Sequence, residues 1–152
     1  MSNYAYVATR ARSRRSRLLP AEAYNQLLNL EHAEIARYIQ DLEYRREIDR
    51  YGSTLSGADL IETALVDNLA KDVGDFLSFS KGKLRDILHV YAEKYRIENL
   101  KNIVRGINQS MDKQNLERLV CPINDSDKEL YNKLYDSKSV EDVIASLEGT
   151  SY

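Results

Sequence analysis

The chain has few of the residues that interrupt regular structure. Six glycines and two prolines among 152 residues exclude collagen-like, Pro-rich and Gly/Ser-rich classes and predict long regular elements. A single cysteine, Cys121, closes no internal disulfide, which suits a reducing compartment, and it excludes a Cys-rich zinc site. The longest apolar run is five residues, 4–8, whereas a membrane span needs about 20. No signal-peptide pattern of arginine followed by an apolar core opens the sequence. Charge of one sign is also lacking. Basic residues number 22 and acidic 24, for a net charge of −2, which disfavours a globally basic nucleic-acid binder. The length predicts one domain, or one domain and a fragment, large enough to bury a core.

What charge there is lies unevenly. Residues 1–17 hold five arginines and no acid, while residues 120–152 hold three lysines and seven acids. These two ends read as surfaces for different neighbours, or for each other.

Apolar residues recur at helical spacing along the whole chain, and no alternating run of strand length occurs. The fold class is therefore all-α. The first helix carries Tyr4, Val7, Ala8, Ala11 and Leu18 on one stripe and Arg10, Arg14 and Arg17 on another, and ends near residue 19. Pro20 opens the second. Two short helices follow, the second reaching Gly52. Ser56 and Asp59 have capping-box spacing ahead of a long helix with Leu60, Ile61, Ala64, Leu65, Leu69, Val73, Phe76 and Leu77. Gly74 inside that helix costs about 1 kcal/mol unless something packs closely against it. The next stripe is Leu84, Ile87, Leu88, Tyr91 and Tyr95; the following one, Ile97, Leu100, Ile103, Val104 and Ile107, comes one residue early. One residue rotates a helical face by about 100°, so a break or kink is expected at 95–99. Gly106 and Asn108 read as terminators. Short helices are expected at 114–120, 126–135 and 139–148, with Asp125 or Ser126 and Ser139 as caps. Two parts result: a helical module over 1–110, and short helices over 111–152.

Candidate chemistry is thin. No phosphate-binding glycine loop occurs: Gly82-Lys83 has the wrong upstream spacing. Asp86, His89 and Glu93 share one helical face and could hold a metal, but a solvated polar stripe beside Arg85 and Lys94 is the preferred reading, as it is for His32 between its glutamates. No nucleophile sits on a recognisable elbow, and the chain reads as non-catalytic. The arginine helix is the sharpest charged feature. It fits a polyanion or an acidic protein surface, and a helical RNA-binding module is the alternative function. Eleven tyrosines without tryptophan suit interfaces, although Tyr38, Tyr91 and Tyr95 occupy stripe positions and are expected in the core. Tyr24-Asn25-Gln26-Leu27 returns as Tyr131-Asn132-Lys133-Leu134, a weak internal repeat.

Several segments carry a resemblance. The opening Tyr4-Ala5-Tyr6-Val7-Ala8-Thr9-Arg10-Ala11-Arg12, continued by Ser16-Arg17-Leu18-Leu19, is similar to the start of the archaeal A-type ATP synthase C-subunit family, which includes the d-subunit of the eukaryotic V-type proton pump. Ala64-Leu65 and Asn68-Leu69-Ala70 resemble it too. So does Tyr95-Arg96-Ile97-Glu98-Asn99-Leu100-Lys101-Asn102-Ile103-Val104-Arg105-Gly106, at the phase slip. Ser139-Val140-Glu141-Asp142-Val143 and Leu147-Glu148-Gly149-Thr150-Ser151-Tyr152 resemble the family's linker into a second repeat.

The resemblance implies an all-helical, non-catalytic subunit without cofactor or metal, built in the family from three modules around a funnel. Its implied place is the central stalk of an A-type or V-type ATPase, as a cytoplasmic socket held peripherally at the membrane through protein contacts. It would join the proteolipid rotor ring to the central shaft during ATP-linked proton or sodium transport, with no nucleic acid or small-molecule substrate. The chain departs from the family in being much shorter and in carrying Asn124-Asp125 where the family commonly has glycine. Only the first module is expected, with an apolar face left where further modules would pack. Arg10, Arg14 and Arg17 are the expected contacts to an acidic partner. The turn of Arg45, Arg46, Arg50 and Tyr51 is the expected tip for ring or shaft.

Overall fold

A computed structural model describes residues 3–150 and 152; Ser151 of the final motif lies outside them. The described residues form nine helices and no strand: α1 (Tyr4–Arg15), α2 (Ala21–Leu27), α3 (His32–Gln40), α4 (Arg45–Tyr51), α5 (Gly57–Phe79), α6 (Lys83–Asn108), α7 (Lys113–Arg118), α8 (Asp125–Leu134) and α9 (Val140–Leu147). The all-α expectation holds. The first helix ends four residues earlier than the pattern predicts. Its apolar stripe supplies one buried side chain, Val7, while Tyr4 and Leu18 stay exposed.

Three apolar clusters follow one another along two long helices. Ala36, Ile39, Ile48, Leu60 and Ala64 join α3 and α4 to the start of α5. Leu77, Ala92 and Ile123, flanked by Val73, Leu88 and Tyr95, close the α5–α6 hairpin. Leu100, Ile103 and Ile107 of α6 pack with Leu116, Val120, Tyr131, Leu134, Tyr135 and Val143 from the C-terminal helices.

The helix boundaries have local causes. Gly82 precedes α6 with φ +59°, a left-handed conformation that favours glycine. Ser139 accepts a hydrogen bond from the Asp142 amide at 3.1 Å, as its position predicts. The α8 cap is Asn124, which accepts from the Asp127 amide at 2.8 Å, rather than either residue after it. Ser56 has the backbone of a cap, but its side chain makes no capping bond, so the expected box there does not form. Such a reach-back bond forms instead at α3, where the Glu31 amide donates to the Glu34 carboxylate at 3.0 Å.

No break interrupts α6. The phase slip marks a change of partner: the first stripe meets α5, and the second meets α7, α8 and α9. At the slip the inward positions are polar. Arg96 and Asn99 are both buried. Arg96 donates to Asp127 of α8 at 2.9 Å and to Glu93 at 2.6 Å. The Asn99 amide donates to the Cys121 carbonyl at 2.8 Å and accepts from the Cys121 amide at 3.3 Å. The connection after α7 is thus hydrogen-bonded to the middle of α6, which holds the helix regular where its face turns. Tyr38 and Tyr95 are half-buried. Tyr91 is exposed, contrary to expectation, and reaches the Tyr95 hydroxyl at 3.0 Å. Gly106 lies inside α6 and does not terminate it.

Gly74 has the close neighbour its position calls for. A Cβ there would overlap the Ile123 carbonyl oxygen, a backbone atom; at Gly106 it would overlap the Leu116 Cδ2 methyl. Methyls repack and carbonyls do not. Gly74→Ala is therefore expected to destabilise by about 1–3 kcal/mol despite its better helix propensity. Gly106→Ala is expected to cost less in the same urea titration, and the reverse order would disprove the close approach.

Removing Arg96 alone strands a buried carboxylate, at about 3 kcal/mol for Arg96→Met. Combining it with Asp127→Leu should cost less than the two single changes summed, as read in a double-mutant cycle by chemical unfolding. Burial, reinforced by the charge of Asp67, pushes the Cys121 thiol up to about 11. At pH 8 iodoacetamide should alkylate it on the order of 100-fold more slowly than the same residue in urea. Equal rates would show an open site.

Candidate functional site

Some of the charged residues singled out in the sequence meet the acids of one helix, whereas Arg17 and Arg45 pair elsewhere. α5 carries Asp67 near its middle and Asp72 and Asp75 toward its end, and two separate arginine groups meet them. The structure does not bring those groups together into one surface.

The first group lies on α1. Arg14 spans Asp72 and Asp75, with the second contact at 2.5 Å, and its guanidinium stands 5.2 Å from the Phe76 ring centroid. Burial raises the Asp72 carboxyl above its ordinary value, against the pull of Arg14. Arg10 lies over two rings, 5.0 Å from the Tyr6 centroid and 5.1 Å from that of Phe79. Arg17 pairs with Glu43 at 3.1 Å, both largely exposed. Arg10, Arg14 and Arg17 thus make internal contacts that the sequence does not reveal, because Asp72 and Asp75 sit among the apolar residues of another helix.

The second group lies on α4. Arg50 donates to Asp67 at 3.3 Å, and the Tyr51 hydroxyl donates to the same carboxylate at 3.1 Å. Burial, then the charge of Asp67, pushes the Tyr51 phenol up to about 12. Arg45 faces Asp41 at 3.6 Å and is exposed. Arg46 is exposed and forms no ion pair with any described residue. Beneath it lies a cavity of about 140 Å³ shared with Arg50, Asp67, Lys71 and Glu47. Glu47 is 2% exposed, and its Oε2 has no hydrogen-bond partner among the described residues. A polar space of that size admits water, the usual partner of such an atom.

Between this tip and the C-terminal helices runs an open cleft of about 600 Å³. Tyr51, Asp67 and Lys71 line one wall, and Arg118, Cys121 and Lys128 the other. Its charges are mixed and mostly exposed. Burial raises the Cys121 thiol above its ordinary value, and the rest of the lining offers hydrogen-bonding and ionic contacts.

The metal-like trio does not assemble. Glu93 is taken by Arg96 and accepts from the Tyr152 hydroxyl at 2.9 Å. Among the described residues no three His, Cys, Asp or Glu side chains converge to hold an ion. None of the described helices is long and apolar enough to cross a membrane.

Known proteins place the chain more sharply than its clefts do. Residues 7–152 match the ATP synthase (C/AC39) subunit family. The A-type ATP synthase C-subunit of Haloferax volcanii is 37% identical over 151 residues, 99% of this chain and 43% of the relative. That of Haloquadratum walsbyi is 36% identical, covering 99% and 44%, and that of Archaeoglobus fulgidus 34%, covering 98% and 43%. The chain therefore spans less than half the length of these curated relatives. No solved structure matches it significantly. With the match running through nearly every residue described above, the chain belongs to the ATP synthase (C/AC39) subunit family.

Proposed function

We propose that the chain serves as a module of a non-catalytic central-stalk subunit in an A-type or V-type rotary ATPase. It acts as a cytoplasmic socket, peripheral to the membrane through protein contacts, between the proteolipid rotor ring and the central shaft. Its task is to transmit rotation during ATP-linked proton or sodium transport, without cofactor, small-molecule substrate or nucleic acid. Residues 1–110 make the module, and 111–152 lead toward the next. The observation that carries this reading is the family match over residues 7–152, with relatives named as the C-subunit of A-type ATP synthases.

Physical features support it. A torque-bearing part needs stiffness, and packed helices supply it. Here two helices of 23 and 26 residues form the long elements, with the second clamped at its middle by the Arg96 and Asn99 bonds. The proposed contact tip is Arg45, Arg46, Arg50 and Tyr51, of which Arg45 and Arg46 are the most available to a partner. Arg10, Arg14 and Arg17 reach an acidic partner only by exchanging it for their rings, Asp72, Asp75 and Glu43. The double pairing of Arg14 with Asp72 and Asp75 takes one cation of this helix away from a phosphate surface, which weighs against an RNA-binding module only to that extent.

Affinity capture from native membranes in mild detergent tests the reading. Proteolipid and shaft subunits are expected with the wild-type chain. Their recovery should fall about tenfold for the Arg45→Glu/Arg46→Glu variant, with an unchanged thermal midpoint because both residues are exposed. Recovery of ribonucleoprotein, lost steeply as salt rises, would replace the socket with the RNA module.

A further inference from the structure

α1 is attached unlike either of the long helices. It buries one side chain, Val7, and shares no extended packing seam with another helix. Its further contacts with the body include polar and cation–π ones and the edge of Tyr6 against Phe79 at 6.0 Å between centroids. Arg14 bridges Asp72 and Asp75, Arg10 rests on Phe79, and Arg17 meets Glu43 beyond the helix end. The Asn3 amide donates to the Phe79 carbonyl at 2.6 Å, and the Asn3 side-chain oxygen accepts from the Lys81 amide at 3.0 Å. The charged contacts are partly or largely exposed to solvent. Salt therefore screens them, whereas it leaves apolar seams intact.

What α1 covers is also unusual. Leu65, Leu69, Asp72, Phe76 and Phe79 fall on one stripe of α5 at helical spacing. Leu65 and Leu69 are exposed, with Val66 beside them. Phe76 and Phe79 lie under Arg14 and Arg10. α1 thus caps the half of the stripe nearer the α5–α6 turn and leaves the other half bare.

We propose that α1 is an electrostatically latched cover that lifts from α5 as a unit while the rest of the fold stays closed. Lifting uncovers an aromatic and acidic ridge made of Asp72, Asp75, Phe76 and Phe79, continuous with the exposed Leu65 and Leu69. It also frees Arg10 and Arg14 in the same motion. Opening is governed by the latch charges, because Val7 is the one buried apolar anchor in the helix. This property belongs to the chain by itself and does not depend on its assembly into an ATPase.

Hydrogen exchange by mass spectrometry on the full chain tests the latch. Raising potassium chloride from about 20 mM to about 1 M shortens the screening length from roughly 20 Å to roughly 3 Å. Exchange of the α1 amides should then accelerate at least tenfold, while the α6 amides keep their protection. Arg14→Gln at low salt should match wild type at high salt and lose most of the salt response. The Asp72→Asn/Asp75→Asn variant leaves the α1 sequence untouched, so faster α1 exchange there reports undocking rather than a weaker helix. Salt-independent α1 exchange would overturn the proposal. So would α1 and α6 opening together, which would mean whole-chain unfolding.

Discussion

A guanidinium shut into the middle of a 26-residue helix sets what its surroundings must do. Arg96 lies away from water, and a buried cation is tolerable only with acceptors on its donors. Asp127 supplies one across the helix gap, and Glu93 supplies another from the preceding turn. Asp127 must therefore reach α6, which places the start of α8. The Ile123 amide also donates to Asp127, and the Ile123 carbonyl presses on Gly74 of α5. One charge thus fixes the register of α5, α6 and α8 around a short connection. Apolar packing alone would tolerate sliding among these helices; the ion pair and the glycine contact do not.

Where a feature depended on local spacing, much of the sequence was readable. The helical class, the turn near Gly82 and the cap at Ser139 all follow from local spacing, and Gly74 stood out as a cost that a close neighbour would explain. α6 runs unbroken through 95–99, where a break or kink was expected, and the break is absent for a specific reason. A one-residue shift in the apolar stripe has two physical solutions: bend the helix, or give its halves different partners. Spacing on one helix does not choose between them. The choice depends on Arg96 and Asn99, whose acceptors stand 31 and 22 residues away. Tyr91 shows the converse limit. Its stripe position predicts burial, but the helices that turn to the C-terminal half of α6 leave its own face uncovered.

The charge pattern misleads in a similar way. A basic beginning and an acidic end suggest mutual attraction, yet the α1 arginines find acids from the middle of the chain. Asp72 and Asp75 are masked in the sequence by Val73 and Phe76, which read as core. A carboxylate pair at i, i+3 on a helix is a receptor for one arginine, and Arg14 fills it. At α4 the outcome is subtler. Asp67 takes both Arg50 and the Tyr51 hydroxyl, so half of the expected tip is internally fixed, and Arg45 and Arg46 stand outside it.

These contacts divide the molecule by the kind of force that holds each part. The C-terminal half of α6 shares a continuous apolar seam with α7, α8 and α9, a bond that salt does not loosen. The α3–α4–α5 corner is likewise apolar at its centre, with the Arg45 and Arg50 ion pairs at the rim and Glu47 as its one buried carboxyl. α1 is the exception, since its hold is mainly ionic and aromatic. Stiffness in such a body is not uniform. Deformation concentrates where contacts are fewest and most hydrated, which is at α1 and across the open cleft between α4–α5 and the C-terminal helices. The Leu77–Ala92–Ile123 cluster is the described apolar core that joins α5 to α6. The Gly74 contact and the Arg96 cluster flank that core, so the joint between the long helices is built there and not from the arginine helix that dominates the sequence.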